Sequence, residues 1–319
     1  HRVDRRQRQM CIRDSFITCT STAKQRPEGG WLWKISGNGL SHPSYLFGTY
    51  HGTYDILYQY TDSIPELHQA FNACSQFAGE SETTSKPTPA QVGVAIKLPK
   101  DTTYADLLNK EDFHFLDSIV RQSLKSPLNK VYIKPNFLAL ILGEIEKGKK
   151  LVDTGYSQSQ IDSMKSQVMD IALEKKAKEK GLTIVGLEGI FDAFVSEKSN
   201  LKKEADELIS DLREDDEISP LSFVNTLSDV YRTQNMKSLI DFEVKVDSIF
   251  RTSPKLTEIG KRIREDLLKR RNLNWMNKIP ELMKAQPTFI AVGVRHLPGK
   301  DGLIALLLEK GYQVEPIGL

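Results

Sequence analysis

Two short apolar runs end in glycine and carry a histidine three residues beyond it: Tyr45-Leu-Phe-Gly-Thr-Tyr-His51 and Phe289-Ile-Ala-Val-Gly-Val-Arg-His296. Imidazole suits two tasks, proton transfer near neutral pH and ligation of a divalent cation through its unprotonated nitrogen. Carboxylates recur in comparable places: Glu80 follows Gly79, and Glu188 closes Gly186-Leu-Glu188. Histidine after a strand commonly serves only as a turn residue. Two of the six histidines in one such context point to a shared site instead. Neither copy has the helical His-Glu-x-x-His spacing of zinc peptidases, and no Cys-x-x-Cys pair is present.

The elements that must position these groups are short buried strands, Tyr45 to Phe47 and Phe289 to Val292, stopping at Gly48 and Gly293. Glycine lets the backbone turn or approach another group closely, so the side chain that follows can leave the strand end. Ligands of α/β sheets gather at such ends. The two Gly-x-x-His elements meet only if strands from the two ends of the chain lie side by side.

Four more strands are expected. Trp31 to Ile35 forms a hairpin with the Tyr45 strand through Gly37-Asn-Gly39. Ser75 to Ala78, Leu182 to Val185 and Gln313 to Pro316 complete the set. Asp62 and Asp301 read as helix N-caps, and Gly181 and Gly311 as helix stops. Tyr156 to Asp162 reads as a polar loop, and Phe137 to Lys147 as a buried helix. From about Ala193 to Pro280 the periodicity is helical throughout. That tract holds an acidic stretch, Glu204 to Glu217, and a basic one, Lys255 to Arg271. Solvated helix faces explain both, with mutual pairing as the alternative.

Composition excludes several classes. With 39% hydrophobic and 27% charged residues the chain reads as globular, and no apolar run approaches the ~18 residues of a membrane span. His1 to Ser15 carries five arginines against two aspartates, and without it the formal charge of +2 becomes −1. That stretch is expected to be foreign to the fold, so basicity gives no argument for nucleic acid. Phe16 to Ala23 reads as the remnant of a secretory signal, with Cys19 as a possible lipid anchor, which places the protein outside the cytoplasm. Three cysteines build no disulfide framework, and Cys74 reads as a small core residue. No internal repeat, glycine-rich phosphate loop or Gly-x-Ser-x-Gly elbow occurs.

Taken in order, several motifs resemble the TraB/GumN family, which includes the Tiki metalloproteases. They are Leu32-Trp-Lys-Ile35, Leu46 to His51, Met169-Asp170 with Leu182 to Glu188, Arg271-Asn272-Leu-Asn-Trp275, Val292 to Gly299 with Gly302, and Gly311 to Pro316. The resemblance implies an α+β fold. A central mixed β-sheet, built from the N- and C-terminal parts, is flanked by helices and interrupted by a large helical insertion. The implied organisation is a leader over residues 1–30 and one domain over 31–319, its helical subregion at about 193–285.

The resemblance also implies a metal-dependent hydrolase acting on peptides. His51, Glu80 and His296 are the expected ligands of manganese, cobalt or zinc. Glu188 is the expected general base, and Arg271 the oxyanion stabiliser or substrate-carboxylate clamp. Gly48, Gly293, Asp170 and Asn272 complete the expected cleft. Arg295 stands where relatives often have a small residue, and it would bring a positive charge towards the cation. Structural alternatives stay open: Glu188 capping a helix near Phe191, Asp170 in a structural hydrogen bond or ion pair, Arg271 and Asn272 tying helices to the sheet. Two rival functions remain, a metal-independent esterase-like hydrolase and a non-catalytic peptide binder of the pheromone-shutdown kind. The expected partner is a peptide or small-molecule substrate, with no nucleic acid.

Overall fold

The glycine-ended apolar runs assemble into a mixed sheet. The computed structural model describes residues 29–50, 56–82, 87–192, 200–213 and 220–318, with backbone only at 220–225 and 255. Its strands are β1 (Leu32–Ser36), β2 (Ser44–Thr49), β3 (Gln76–Gly79), β4 (Thr183–Gly186), β5 (Thr288–Gly293) and β6 (Gln313–Ile317). They lie in the order β4-β3-β5-β2-β1-β6. β4, β3, β5 and β2 run parallel, while β1 is antiparallel to both β2 and β6. Six strands and the surrounding helices make this the α+β architecture expected.

Connectivity explains the composition of each strand. β5 sits between β3 and β2 and is buried along its whole length, so it reads as an unbroken apolar run. Its pairing with β2 sets Gly48 opposite Val292 and Thr49 opposite Gly293. Strands from the two ends of the sequence are therefore direct neighbours, with their carboxyl ends on one edge. β3 and β4 join that edge with Gly79 opposite Gly186.

All four parallel strands thus carry glycine at or next to their last residue, and two of these glycines answer to space. A Cβ on Gly48 would come within 2.8 Å of Val294 Cγ2. One on Gly186 would meet the backbone of Glu188 and Glu82 at 3.0 Å. The turns that follow the strands fold back over the strand ends, leaving no room for a side chain.

Two buried clusters hold the fold. The first surrounds the sheet: Phe47, Phe71, Phe77 and Phe289 meet as aromatic pairs 5.1–6.4 Å apart, and Trp31 stacks on Tyr231 at 5.2 Å. Helices Met236–Phe250, Arg270–Trp275 and Ile279–Ala285 contribute to it. The second lies among helices, where Leu116, Val120, Leu128 and Leu138 pack with Ala205 and Leu208. The helix Leu201–Arg213 therefore packs with the Leu98–Leu142 tract, whereas later helices pack on the sheet. Among the described residues no helix is long and apolar enough to cross a membrane.

Three local expectations are corrected. Asp62 does not cap a helix: it lies in a 3-10 turn (Tyr58–Ser63), the following helix Pro65–Asn72 starts without a side-chain cap, and Asp62 Oδ1 instead lies 3.2 Å from His68 Nε2. Asp301 is likewise displaced as a cap, since Gly302 occupies that position before helix Leu303–Glu309. Tyr156 to Asp162 is no loop, because Ser157 and Gln160 form a capping box that starts the helix Gln158–Ser166. The Phe137 helix exists but runs further, Pro135–Asp153, and it leaves Leu140 and Val152 exposed. The acidic and basic stretches meet through Arg262 with Glu207 at 2.7 Å, and beside them Lys203, just before the acidic stretch, pairs with Glu258 at 3.2 Å. Both pairs are exposed and contribute about 0–1 kcal/mol. The signal remnant, Cys19 and Ala193 lie outside the described residues.

Cys74 is buried at the end of the Pro65–Asn72 helix, its thiol 3.4 Å from the Ala70 carbonyl oxygen. Burial pushes the thiol up to about 12. At pH 8 the thiolate is then on the order of one part in 10⁴. Peptide mapping after iodoacetamide treatment at pH 8 is expected to find Cys74 unmodified in the folded chain and modified in denaturant. Equal labelling in both states would contradict this burial.

Candidate functional site

Four parallel strands deliver their carboxyl ends to one edge, and the residues just beyond them converge. Glu80 follows the last residue of β3. Glu188 lies two beyond β4, and its N–H donates to the Glu80 carbonyl at 2.8 Å, which locks the two turns together. His296 ends a 3-10 turn (Val294–His296) that leaves β5. Facing them, the helix Arg270–Trp275 supplies Arg271, Asn272 and Trp275, all buried.

Arg271 organises the cluster. Its Nε donates to Glu188 Oε1 at 2.9 Å, and its Nη2 donates to both Glu188 Oε1 and Glu80 Oε2. Nη1 lies 3.3 Å from His296 Nε2. The face of Trp275 lies 4.7 Å from the guanidinium carbon, and its indole N–H donates to Glu188 Oε2 at 3.1 Å. Burial alone would lower the Arg271 pKa, but Glu80 and Glu188 outweigh it and hold the guanidinium above its ordinary value. Two acidic side chains thus share one guanidinium in the cluster.

Asn272 decides the state of the histidine. Its Nδ2 donates to the carbonyls of His296 at 3.1 Å and Asp301 at 2.8 Å. That fixes the amide, so Oδ1 is the atom 2.7 Å from His296 Nδ1, and Nδ1 must carry the proton. In the neutral ring Nε2 then bears the lone pair. This nitrogen points into the cluster, 3.8 Å from Glu80 Oε1. The Trp275 ring packs against the imidazole with centroids 4.5 Å apart and completes its orientation. Asn272→Ala would leave the buried His296 carbonyl, the half-buried Asp301 carbonyl and Nδ1 without these partners, a cost of about 1–3 kcal/mol readable by chemical denaturation. A loss below about 0.3 kcal/mol would contradict that role.

The other expected residues are placed as follows. Asp170 starts the helix Met169–Glu179 and accepts the Thr49 hydroxyl at 2.6 Å, which ties that helix to the end of β2. Arg295 turns to Glu243 on the helix Met236–Phe250, with Nε and Nη2 bonded at 2.6 and 2.9 Å. Burial would lower the Arg295 pKa, but Glu243 reverses the effect and raises it. The feared positive charge beside the histidine is therefore neutralised by a carboxylate of its own. Gly48 and Gly293 lie at the same edge. His51 lies outside the described residues.

Some partners were not anticipated. Trp275 stands four residues after Arg271 on one helix face, a spacing that could have flagged it. Tyr231, fully buried, donates its hydroxyl to the Gly48 carbonyl at 2.7 Å, and nothing in its local sequence signals this. The helix turn before Arg271 is also unusual, since Ile263–Lys269 is a π-helix within a continuous helix from Pro254 to Trp275. Such widened turns occur frequently at functional sites.

The donors present fit a divalent cation in their chemistry. Ligands 2.0–2.2 Å from one cation lie up to about 4 Å from each other. The 3.8 Å between Glu80 Oε1 and His296 Nε2 falls within that range. The Nδ1 hydrogen bond to Asn272 is the outer support that metal-bound histidines use. Among the described residues no group of three histidine, cysteine or carboxylate side chains is placed to hold a metal ion.

The TraB/PrgY/gumN family profile matches residues 31–316, nearly the whole chain. Neither the curated proteins nor the solved structures yield a match. The match takes in five strands whole, all but the last residue of the sixth, and every residue of the cluster around Arg271, and on that ground the chain belongs to the TraB/PrgY/gumN family.

Proposed function

We propose that the protein is a metal-dependent hydrolase that cleaves peptide bonds at the cluster around Arg271. The observation that carries this reading is the approach of His296 Nε2 to Glu80 Oε1, 3.8 Å apart at the ends of adjacent parallel strands, with the lone pair aimed by Asn272. In the proposal His51 is the third ligand, with manganese, cobalt or zinc as the cation. A cation held there would lower the pKa of a bound water towards about 7 and so would supply hydroxide at neutral pH.

The chain's own groups divide the remaining work. Glu80 accepts the Gly293 N–H at 2.7 Å and so keeps one oxygen fixed towards the histidine. Glu188, gripped by Arg271 and Trp275, is held in a fixed orientation, as a general base needs. Arg271 carries a fixed positive charge beside Nε2 and is suited to stabilise an oxyanion developing there. Trp275 and Asn272 exclude water from the histidine's far side.

One feature favours a second reading. Arg271 already supplies a cation between Glu80, Glu188 and His296, so the cluster can hold its charges without metal. A metal-independent hydrolase would use the histidine as base directly. Elemental analysis of protein purified without chelator separates the two, together with mass-spectrometric screening of a peptide library. The first reading expects about one equivalent of metal and peptide cleavage that a chelator stops. Cleavage in metal-free protein would favour the second reading. Absence of cleavage under both conditions would reject a peptidase.

A further inference from the structure

A cavity of about 250 Å³ opens beside the cluster, between the ends of β3 and β5 and the start of the helix Met169–Glu179. Glu80 belongs to both the cavity wall and the Arg271 cluster, so the cavity adjoins the cluster. Whole ligands occupy pockets of about 300–1,000 Å³, so this volume suits one side chain of a longer substrate.

The walls say which kind. Phe77, Val168, Ile171 and Ala291 make most of the surface apolar. Three carboxylates also line the space, yet each already has a partner: Glu80 holds Arg271 and the Gly293 N–H, Asp170 holds the Thr49 hydroxyl, and Glu174 holds Lys178 at 3.4 Å. Apolar contact is what the cavity has left to offer an entering group. Among the described lining residues an acidic group would meet three carboxylates and no lysine or arginine.

We infer that this cavity is a specificity subsite that takes an apolar side chain of a peptide substrate, of leucine or phenylalanine size, and rejects an acidic one. The inference rests on the peptidase reading above, and its test separates the two. Fluorescent peptides that differ at one residue, leucine, lysine or aspartate, are titrated against the full chain and then analysed for cleavage. Val168→Phe and Ile171→Trp, both at partly exposed positions away from Arg271, fill the cavity from its helical wall.

The wild type is expected to bind the leucine peptide at least about tenfold more tightly than the aspartate peptide, the scale on which apolar pockets discriminate. In either folded variant that preference should fall below about twofold, with metal content unchanged. Preference for lysine, equal affinity for all three, or full leucine preference in both folded variants would overturn the subsite. Selective binding without cleavage would sustain the subsite and overturn the peptidase. Cleavage indifferent to the varied residue would do the reverse.

Discussion

Arg271→Ala is expected to destabilise the protein by about 3–5 kcal/mol, the range for removing one member of a buried ion pair. Arg271, Glu188 and Glu80 keep only 11%, 10% and 17% of their side-chain surface exposed, so solvent screens them little. Without the guanidinium, Glu188 retains the Trp275 N–H and Glu80 the Gly293 N–H, but the charge that balanced both is gone. Arg271→Lys should recover part of the loss, since it restores the charge without the fork that reaches two carboxylates at once. Urea denaturation of the three proteins measures this directly. A loss under 1 kcal/mol in the alanine variant would show that the cluster does not depend on its cation.

His296→Ala is expected to remove stoichiometric metal and to lower peptide hydrolysis by roughly 10²–10⁴-fold, the range for a positioned catalytic group. The effect should exceed that of Asn272→Ala, which disturbs only the ring's orientation and is expected to cost about 10–100-fold in metal affinity. His296 is buried, so His296→Gln serves as the variant that refills the space. Metal analysis and turnover read the two roles separately. A His296→Ala protein that keeps wild-type metal affinity would remove this residue from the ligand set, whatever its turnover.

The strands were legible in the sequence because each is a short run bounded by glycine or turn residues, and the central buried parallel strands β2 and β5 are also continuous apolar runs. All six begin and end within a residue or two of the positions read from pattern. The juxtaposition of β2 and β5 was legible for a different reason, the repeated Gly-x-x-His, which makes chemical sense only if the strands are neighbours. Glu80 and Glu188 followed the same rule of an ionisable group just past a strand-ending glycine. What failed was capping. Asp62 and Asp301 have the right type for N-caps, but a 3-10 turn at the first and Gly302 at the second took over the helix starts. The Glu243 partner of Arg295 is 52 residues away, and no local pattern encodes such a pair. Tyr231 reaching the Gly48 carbonyl across 183 positions is of the same kind.

The π-helix before Arg271 carries a consequence for how relatives of this chain should be compared. A π-turn, closed by i→i+5 bonds, takes up one residue more than the α-turn it replaces, so Ile263–Lys269 holds an extra residue without turning the helix beyond it. A relative with a one-residue gap in this stretch would lose the wide turn and still present Arg271, Asn272 and Trp275 towards Glu80 and His296. A gap within Arg270–Trp275 has no such slack, and would turn the residues after it by about 100°. In this family a gap before Arg271 therefore says less against the site than a gap after it.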